Sequence, residues 1–216
     1  MKSFITLSAI CFFLTGCVHS LPTYPGASGS SIQPRDYLNS TCPDLSGNYE
    51  AVGHLINGDS RAKQFEKIEF FDNVFPISDG TEWQSVRRKY RVHGEGPLQN
   101  IFFPPDFATV SNLGTRSVLI TIEYSDAPIG SFHSSYIDSS RFVCHDGRLI
   151  WGGKDNINGG SEWGRNTGSQ SFAIYKDAEG NLIEERFQQV NMNMLFGIPA
   201  GTAEYFSVHQ FKKIVR

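Results

Sequence analysis

The sequence has no excess of positive charge: 19 Lys and Arg stand against 22 Asp and Glu, for a formal net charge of −3. A chain that tracks nucleic-acid phosphates needs the opposite balance, so no nucleic-acid partner is expected. Charged residues are few, at 19%, against roughly 25% in typical soluble domains. Beyond the N-terminus no apolar run approaches the roughly 20 residues of a membrane-crossing helix. Helical periodicity is scarce, with one turn expected near 60–66 and a short piece near 190–196. Catalytic signatures are missing too. Gly160-Ser161 with Gly164 misses the Gly-x-Ser-x-Gly elbow, because Trp163 stands where Gly is required. Gly94-Glu95-Gly96 runs into Pro97, Leu98 and Gln99, so the dinucleotide fingerprint fails. No two of His19, His54, His93, His133, His145 and His209 have helical metal-ligand spacing. No metal, cofactor or catalytic residue is therefore expected.

What is present is aromatic, turn-rich and alternating. Aromatics make up 13%, with 17 Phe, beside 21 Gly and 10 Pro. Val118, Ile120, Ile122 and Tyr124 recur at every second position, and Val86, Tyr90 and Val92 share one phase with Arg88. Tyr205 and Phe211 share one phase of 203–211, and Phe206 and Val208 the other. Such a period of two predicts half-buried strands. Asp146-Gly147 between alternating apolar residues predicts a tight hairpin, and Lys176 to Asn181 a second. The expectation is an all-β chain of about nine or ten strands, an antiparallel barrel or sandwich.

The leader differs in character. Lys2 precedes an apolar run of 11 residues from Phe4 to Leu14, broken only by Thr6 and Ser8. That is the size of a secretory signal core. It ends in Leu14-Thr15-Gly16-Cys17. These residues resemble the lipobox of bacterial lipoproteins. The resemblance implies a signal peptide over 1–16, cleavage before Cys17, diacylglycerol on the Cys17 sulfur and an acyl chain such as palmitate on its amino group. Val18, in place of Asp, leans toward the periplasmic face of the outer membrane. The acyl chains would make membrane lipid the first partner.

Residues 17–41 read as the lipidated Cys and a tether: Pro22, Pro25, Pro34 and the Gly-Ala-Ser-Gly-Ser-Ser stretch break any regular pattern. The alternative is an arm packed along the domain through Tyr24 or Tyr37. Residues 42–216 form one β-rich domain. With Cys11 in the signal and Cys17 lipidated, Cys42 and Cys144 are left, and in an exported domain they read as a disulfide. Two buried thiols or a nucleophilic Cys144 are the alternatives. His145 follows Cys144 directly, which points the two side chains to opposite faces of a strand.

The unusual segment is 151–170, with six glycines framed by Trp151 and Trp163. It reads as a polar surface loop. In its functional version it is a binding loop for sugar, peptide or cation through Trp151, Asp155, Asn158, Glu162 and Trp163. Arg87, Lys89 and Arg91 share a strand face, opposite Arg88. Residues 190–201, with Met192 and Met194, read as a covering loop or an apolar lip.

Gly47-Asn48-Tyr49 is faintly similar to the Gly-x-Trp start of lipocalins. The run Cys42-Pro43-Asp44-Leu45-Ser46-Gly47-x-Tyr49 resembles small proteobacterial lipoproteins of no known activity. The leading expectation is a membrane-anchored, periplasm-facing, non-catalytic binding or envelope-assembly module. Its partner would be an envelope protein or the cell wall. A lipocalin-like carrier of an apolar small molecule comes second. An enzyme built from dispersed residues such as His54, His93, His133 or Asp146 comes third.

Overall fold

The computed structural model describes residues 32–76, 91–92, 101–102, 105–113, 117–124, 131–137, 142–161, 164–193 and 199–215. They form fourteen strands: β1 (Gly47–Glu50), β2 (Val52–Gly58), β3 (Ile68–Phe70), β4 (Arg91–Val92), β5 (Ile101–Phe102), β6 (Phe107–Asn112), β7 (Val118–Tyr124), β8 (Ser131–Ile137), β9 (Val143–His145), β10 (Arg148–Ser161), β11 (Gly164–Lys176), β12 (Leu182–Asn193), β13 (Pro199–Phe211) and β14 (Lys213–Ile214). A single α-helix, α1 (Ser60–Phe65), lies where one turn is expected. The alternation predicts about nine or ten strands; nine of those formed are four residues or longer, and the other five have only two or three.

One sheet has the order β14-β1-β6-β7-β8, the second β3-β2-β13-β12-β11-β10-β9, and β4 pairs with β5. Every pairing is antiparallel. The two large sheets make a sandwich. Among the described residues β8, β9 and β3 each pair on one side only, so the sheets do not close into a barrel. Two chain segments cross between the layers. β1 passes into β2 at Ala51, and β13 into β14 at Lys212, with Glu50 N donating to Lys212 O at 2.8 Å. This bent ladder is the hinge line of the sandwich, a corner made by strands that change sheet.

Alternation then fills the space between the layers. Tyr49, Ala108, Val110, Val118, Ile120 and Ile122 come from the short sheet; Leu149, Trp151, Ile174, Leu182 and Phe211 come from the long one. Phe71 sits among them, stacked on Tyr49 at 6.2 Å and edge-on to Phe211 at 5.2 Å. The Tyr49 hydroxyl is not stranded by burial, because it donates to Leu45 O at 2.8 Å.

Both predicted hairpins form. Asp146 and Gly147 take φ of 45° and 70° between β9 and β10, the left-handed pair a two-residue hairpin needs. Asp177 organises the second turn, its carboxylate accepting from the backbone of Glu179 and Asn181 and from the Asn181 and Gln210 amides. Burial of Asp177 opposes its charge, but these donors outweigh burial and hold the pKa below its ordinary value.

Cys42 and Cys144 are joined, tying the approach to β1 to the edge strand β9 across a sequence separation of 102. Cys144 is fully buried, while His145 points the other way and meets Tyr37 edge-on at 5.6 Å. Ile32 and Tyr37 pack on the outer-face cluster of Val143, Ile150 and Ala173. The last ten residues of the segment read as a tether thus lie along the domain as an arm.

Three expectations are corrected. Residues 151–170 are not a loop, because β10 and β11 run through them as one long hairpin to Ser161 and from Gly164. Gly152, at φ 103°, stands beside a register shift, and a Cβ there would lie 2.1 Å from Gln170 O. The glycines serve strand irregularity and close backbone approach, not a flexible loop. Of the helical piece expected near 190–196, residues 190–193 are instead the end of β12, paired with β13, and 194–196 lie outside the described residues. The covering loop over 190–201 is likewise strand to Asn193 and again from Pro199.

Gly53 marks the bend: a Cβ there would lie 2.6 Å from the Phe211 ring. Gly53→Ala is expected to lower stability by about 1–3 kcal/mol through overpacking, read as a shift of the urea midpoint. Cys42→Ser is expected to cost about 2–5 kcal/mol by the same measurement. An unchanged midpoint in either variant would contradict its packing or cross-link role.

Candidate functional site

Cross-strand register turns the inner face of the long sheet into rows. Leu182 is opposite Phe211, Glu184 opposite His209, Arg186 opposite Ser207 and Gln188 opposite Tyr205. The first row is core. The next two place charge where the alternation calls for apolar residues. Glu184 and His209 are fully buried.

Arg186 is the centre of the cluster. Its Nη2 lies 2.6 Å from Glu69 Oε2 on β3 and 3.1 Å from Glu184 Oε1. Its guanidinium also covers the Phe172 ring at 5.3 Å, in a cation–π contact. Phe172 in turn stacks on Trp151, and Trp151 on Phe75. Burial opposes the charge of Arg186, but Glu184 and Glu69 outweigh it and raise the pKa further.

His209 Nε2 is 2.8 Å from Glu66 O, an acceptor that assigns the ring proton to Nε2. Nδ1 then faces Glu184 Oε2 at 3.7 Å. Burial pushes Glu184 up to about 7, against the pull of Arg186. Burial likewise pushes His209 down, despite the Glu66 carbonyl. Both residues are driven toward their neutral forms, leaving Arg186 and Glu69 as the buried ion pair.

This network holds an edge. β3 is a three-residue strand paired only with β2 among the described residues. Behind it, Arg186 grips Glu69 and His209 grips the Glu66 carbonyl, so both ends of the α1–β3 connection are fastened to β12 and β13. Asp59 fastens the helix start, with Oδ1 accepting from Ala62 N and Oδ2 from Phe206 N, each at 2.8 Å. The first bond is an N-cap. Ala62 packs over Gly58, where an added Cβ would approach it to 2.8 Å. Arg61 lies over Tyr205 at 4.7 Å and pairs with Glu66 at 3.1 Å.

The fastened edge exposes apolar side chains: Ile56 at 54%, Phe65 at 70% and Ile68 at 49%. Lys63 and Lys67 between them are also exposed.

The residues singled out from sequence fall elsewhere. Trp151 is buried in the aromatic stack and is not a surface anchor. Asp155 and Asn158 lie on β10, and their side chains, like all of Glu162 and Trp163, are outside the described residues. The same holds for Cys17 and the leader, for Arg87, Arg88 and Lys89, for His93 and for the 194–198 segment. His54 is exposed on β2, near one edge of the long sheet, and Asp146 is in the turn beside β9 at the other, so they do not converge. His133 is on β8, in the other sheet. Glu69, Glu184, Arg186 and His209 were not singled out. Their signal was phase: Glu184 and Arg186 alternate with Leu182, and His209 with Phe211, so charge stands in core positions.

Among the described residues no group of three or more His, Cys, Asp or Glu could hold a metal ion. Comparison with known protein families, curated proteins and solved structures gives no match.

Because Glu184 has a folded-state pKa near 7 and an ordinary unfolded one, the folded form holds an extra proton between those values. Its contribution to stability is complete at acid pH and lost as pH rises through 7. Glu184→Gln removes this titration. Relative to wild type, the variant is expected to gain on the order of 1–3 kcal/mol between pH 5 and pH 8, read from urea unfolding at each pH. A pH-independent difference would mean that Glu184 is ionised throughout. Arg186→Met, which leaves Glu69 and Glu184 facing each other, is expected to cost about 3–5 kcal/mol.

Proposed function

We propose that the protein is a lipid-anchored, periplasm-facing binding module without catalytic activity, and that the α1–β3 edge is its contact surface. The observation that carries this is the exposure of Ile56, Phe65 and Ile68 on an edge fastened from behind by buried polar contacts. An apolar side chain left in water on a rigid support is the mark of a surface meant to be covered. The titratable cluster supports that edge and does not act on a substrate, since Glu184 and His209 expose no surface to one. A lipocalin-like carrier would need a closed cup; the open sandwich, filled between its layers by Tyr49, Phe71 and Phe211, does not favour it.

The anchor half of the reading rests on Leu14-Thr15-Gly16-Cys17, and the disulfide fits an oxidising, exported setting. Two measurements test the proposal. Labelling with an alkyne fatty acid is expected to mark the chain and to be lost in Cys17→Ser. A photo-crosslinking residue at 65 is expected to give adducts in the intact envelope, to lipid or to protein as read by mass spectrometry, whereas one at the exposed Leu113 gives none. Equal labelling of Cys17→Ser sinks the anchor, and no adduct at 65 sinks the edge.

A further inference from the structure

We infer that the α1–β3 edge seats on the headgroup layer of an anionic phospholipid membrane, giving the domain a second lipid contact beside the acylated Cys17. This rests on the binding-module reading above and names the partner of the same surface.

The charges at the edge point to lipid. Asp59 spends both carboxylate oxygens on the helix cap and on Phe206 N. Glu66 is paired with Arg61. Asp59 keeps its charge, but Arg61, Lys63 and Lys67 outnumber Asp59 and Glu66, so the segment from Asp59 to Ile68 is net positive, with the exposed Lys63 and Lys67 outside its Arg61–Glu66 ion pair. Cations flanking an exposed aromatic and two exposed branched aliphatics suit the boundary between phosphates and acyl chains: the apolar groups enter, and the ammonium groups stay at the phosphates. Each Lys near an anionic surface contributes about 1 kcal/mol. A second copy of the chain fits less well, because a two-fold contact brings the same patch against itself and sets Lys63 and Lys67 against their own copies.

The tether permits this seating. The arm docks beside β9, six strands from β3 in the long sheet, or roughly 29 Å at the usual strand spacing. Ile32 stands fifteen residues after Cys17, and a chain of that length reaches at most about 50 Å. The anchor can therefore enter the same surface on which the opposite edge of the sheet rests.

The test uses the full acylated protein in vesicles of phosphatidylcholine, with and without about one-third phosphatidylglycerol. Hydrogen exchange of peptides covering 54–70 is compared between the two. Several-fold slower exchange at 60–68 in the anionic vesicles is expected, and it is expected to vanish in Phe65→Ser and in Lys63→Glu/Lys67→Glu, whose folding circular dichroism verifies. Equal exchange in the two vesicles overturns the inference. So does protection that both variants keep, or protection that grows with protein concentration without vesicles, which would identify a second copy as the occupant. Intact mass reads the acyl chains independently, so loss of the anchor is not mistaken for loss of the seat.

Discussion

A guanidinium taken out of water must be met by carboxylates, and much of this sandwich is arranged around meeting one. Arg186 sits on a central strand of the long sheet, in the phase that its neighbours use for core. One strand supplies both Arg186 and Glu184, so their proximity follows from alternation alone. Glu69 must be brought in from 117 residues away in the chain. That long-range pair compels the edge strand β3 to lie against the interior. Uncompensated, the buried charge would cost several kcal/mol; paired and laid over Phe172, it becomes a fixed point for everything packed on it.

Two elements depend on that fixed point. The first is the α1–β3 connection, which has few contacts of its own and is held by the Glu69 carboxylate, the Glu66 carbonyl and the doubly used carboxylate of Asp59. The second is the aromatic stack of Phe172, Trp151 and Phe75, which begins under the guanidinium: Phe172 is paired across the strands with Arg186. The same few contacts thus keep the polar cluster dry and the surface edge rigid. At the far side, the Cys42–Cys144 bond and the docked arm restrain β9 in a comparable way. A β-sandwich with open edges has to fasten each edge by some means, and here one is fastened covalently and the other electrostatically.

Much of the architecture was legible because it is local. Strand β7 declares itself through Val118, Ile120 and Ile122, and both hairpins through Asp and Gly at turn positions. Helix α1 was visible as a single turn. The reading of 151–170 failed because glycine is ambiguous: it marks loops, and it also marks bulges and close backbone approach within strands. Only the pairing of β10 with β11 distinguishes these. The nominated histidines and Asp146 failed for a different reason. Residue chemistry was visible, but position across the sheet was not. His209 carried no motif, yet register set it beside Glu184, while His54 and Asp146 went to opposite edges.

By itself the sequence determined the period of the strands, the turns between them, the cysteines available for a bridge, and a leader resembling that of lipoproteins. Each depends on neighbouring residues or on composition, and needs no knowledge of what lies across the fold. The tertiary structure alone decided that the layers form an open sandwich, that Trp151 is core, that Glu69 and His209 join Glu184 and Arg186 in one cluster, and that Phe65 is left in water. Those outcomes depend on which strands pair and in what register. A shift of one residue exchanges the inner and outer faces of a strand, so burial, ion pairing and exposure are properties of the assembled sheets.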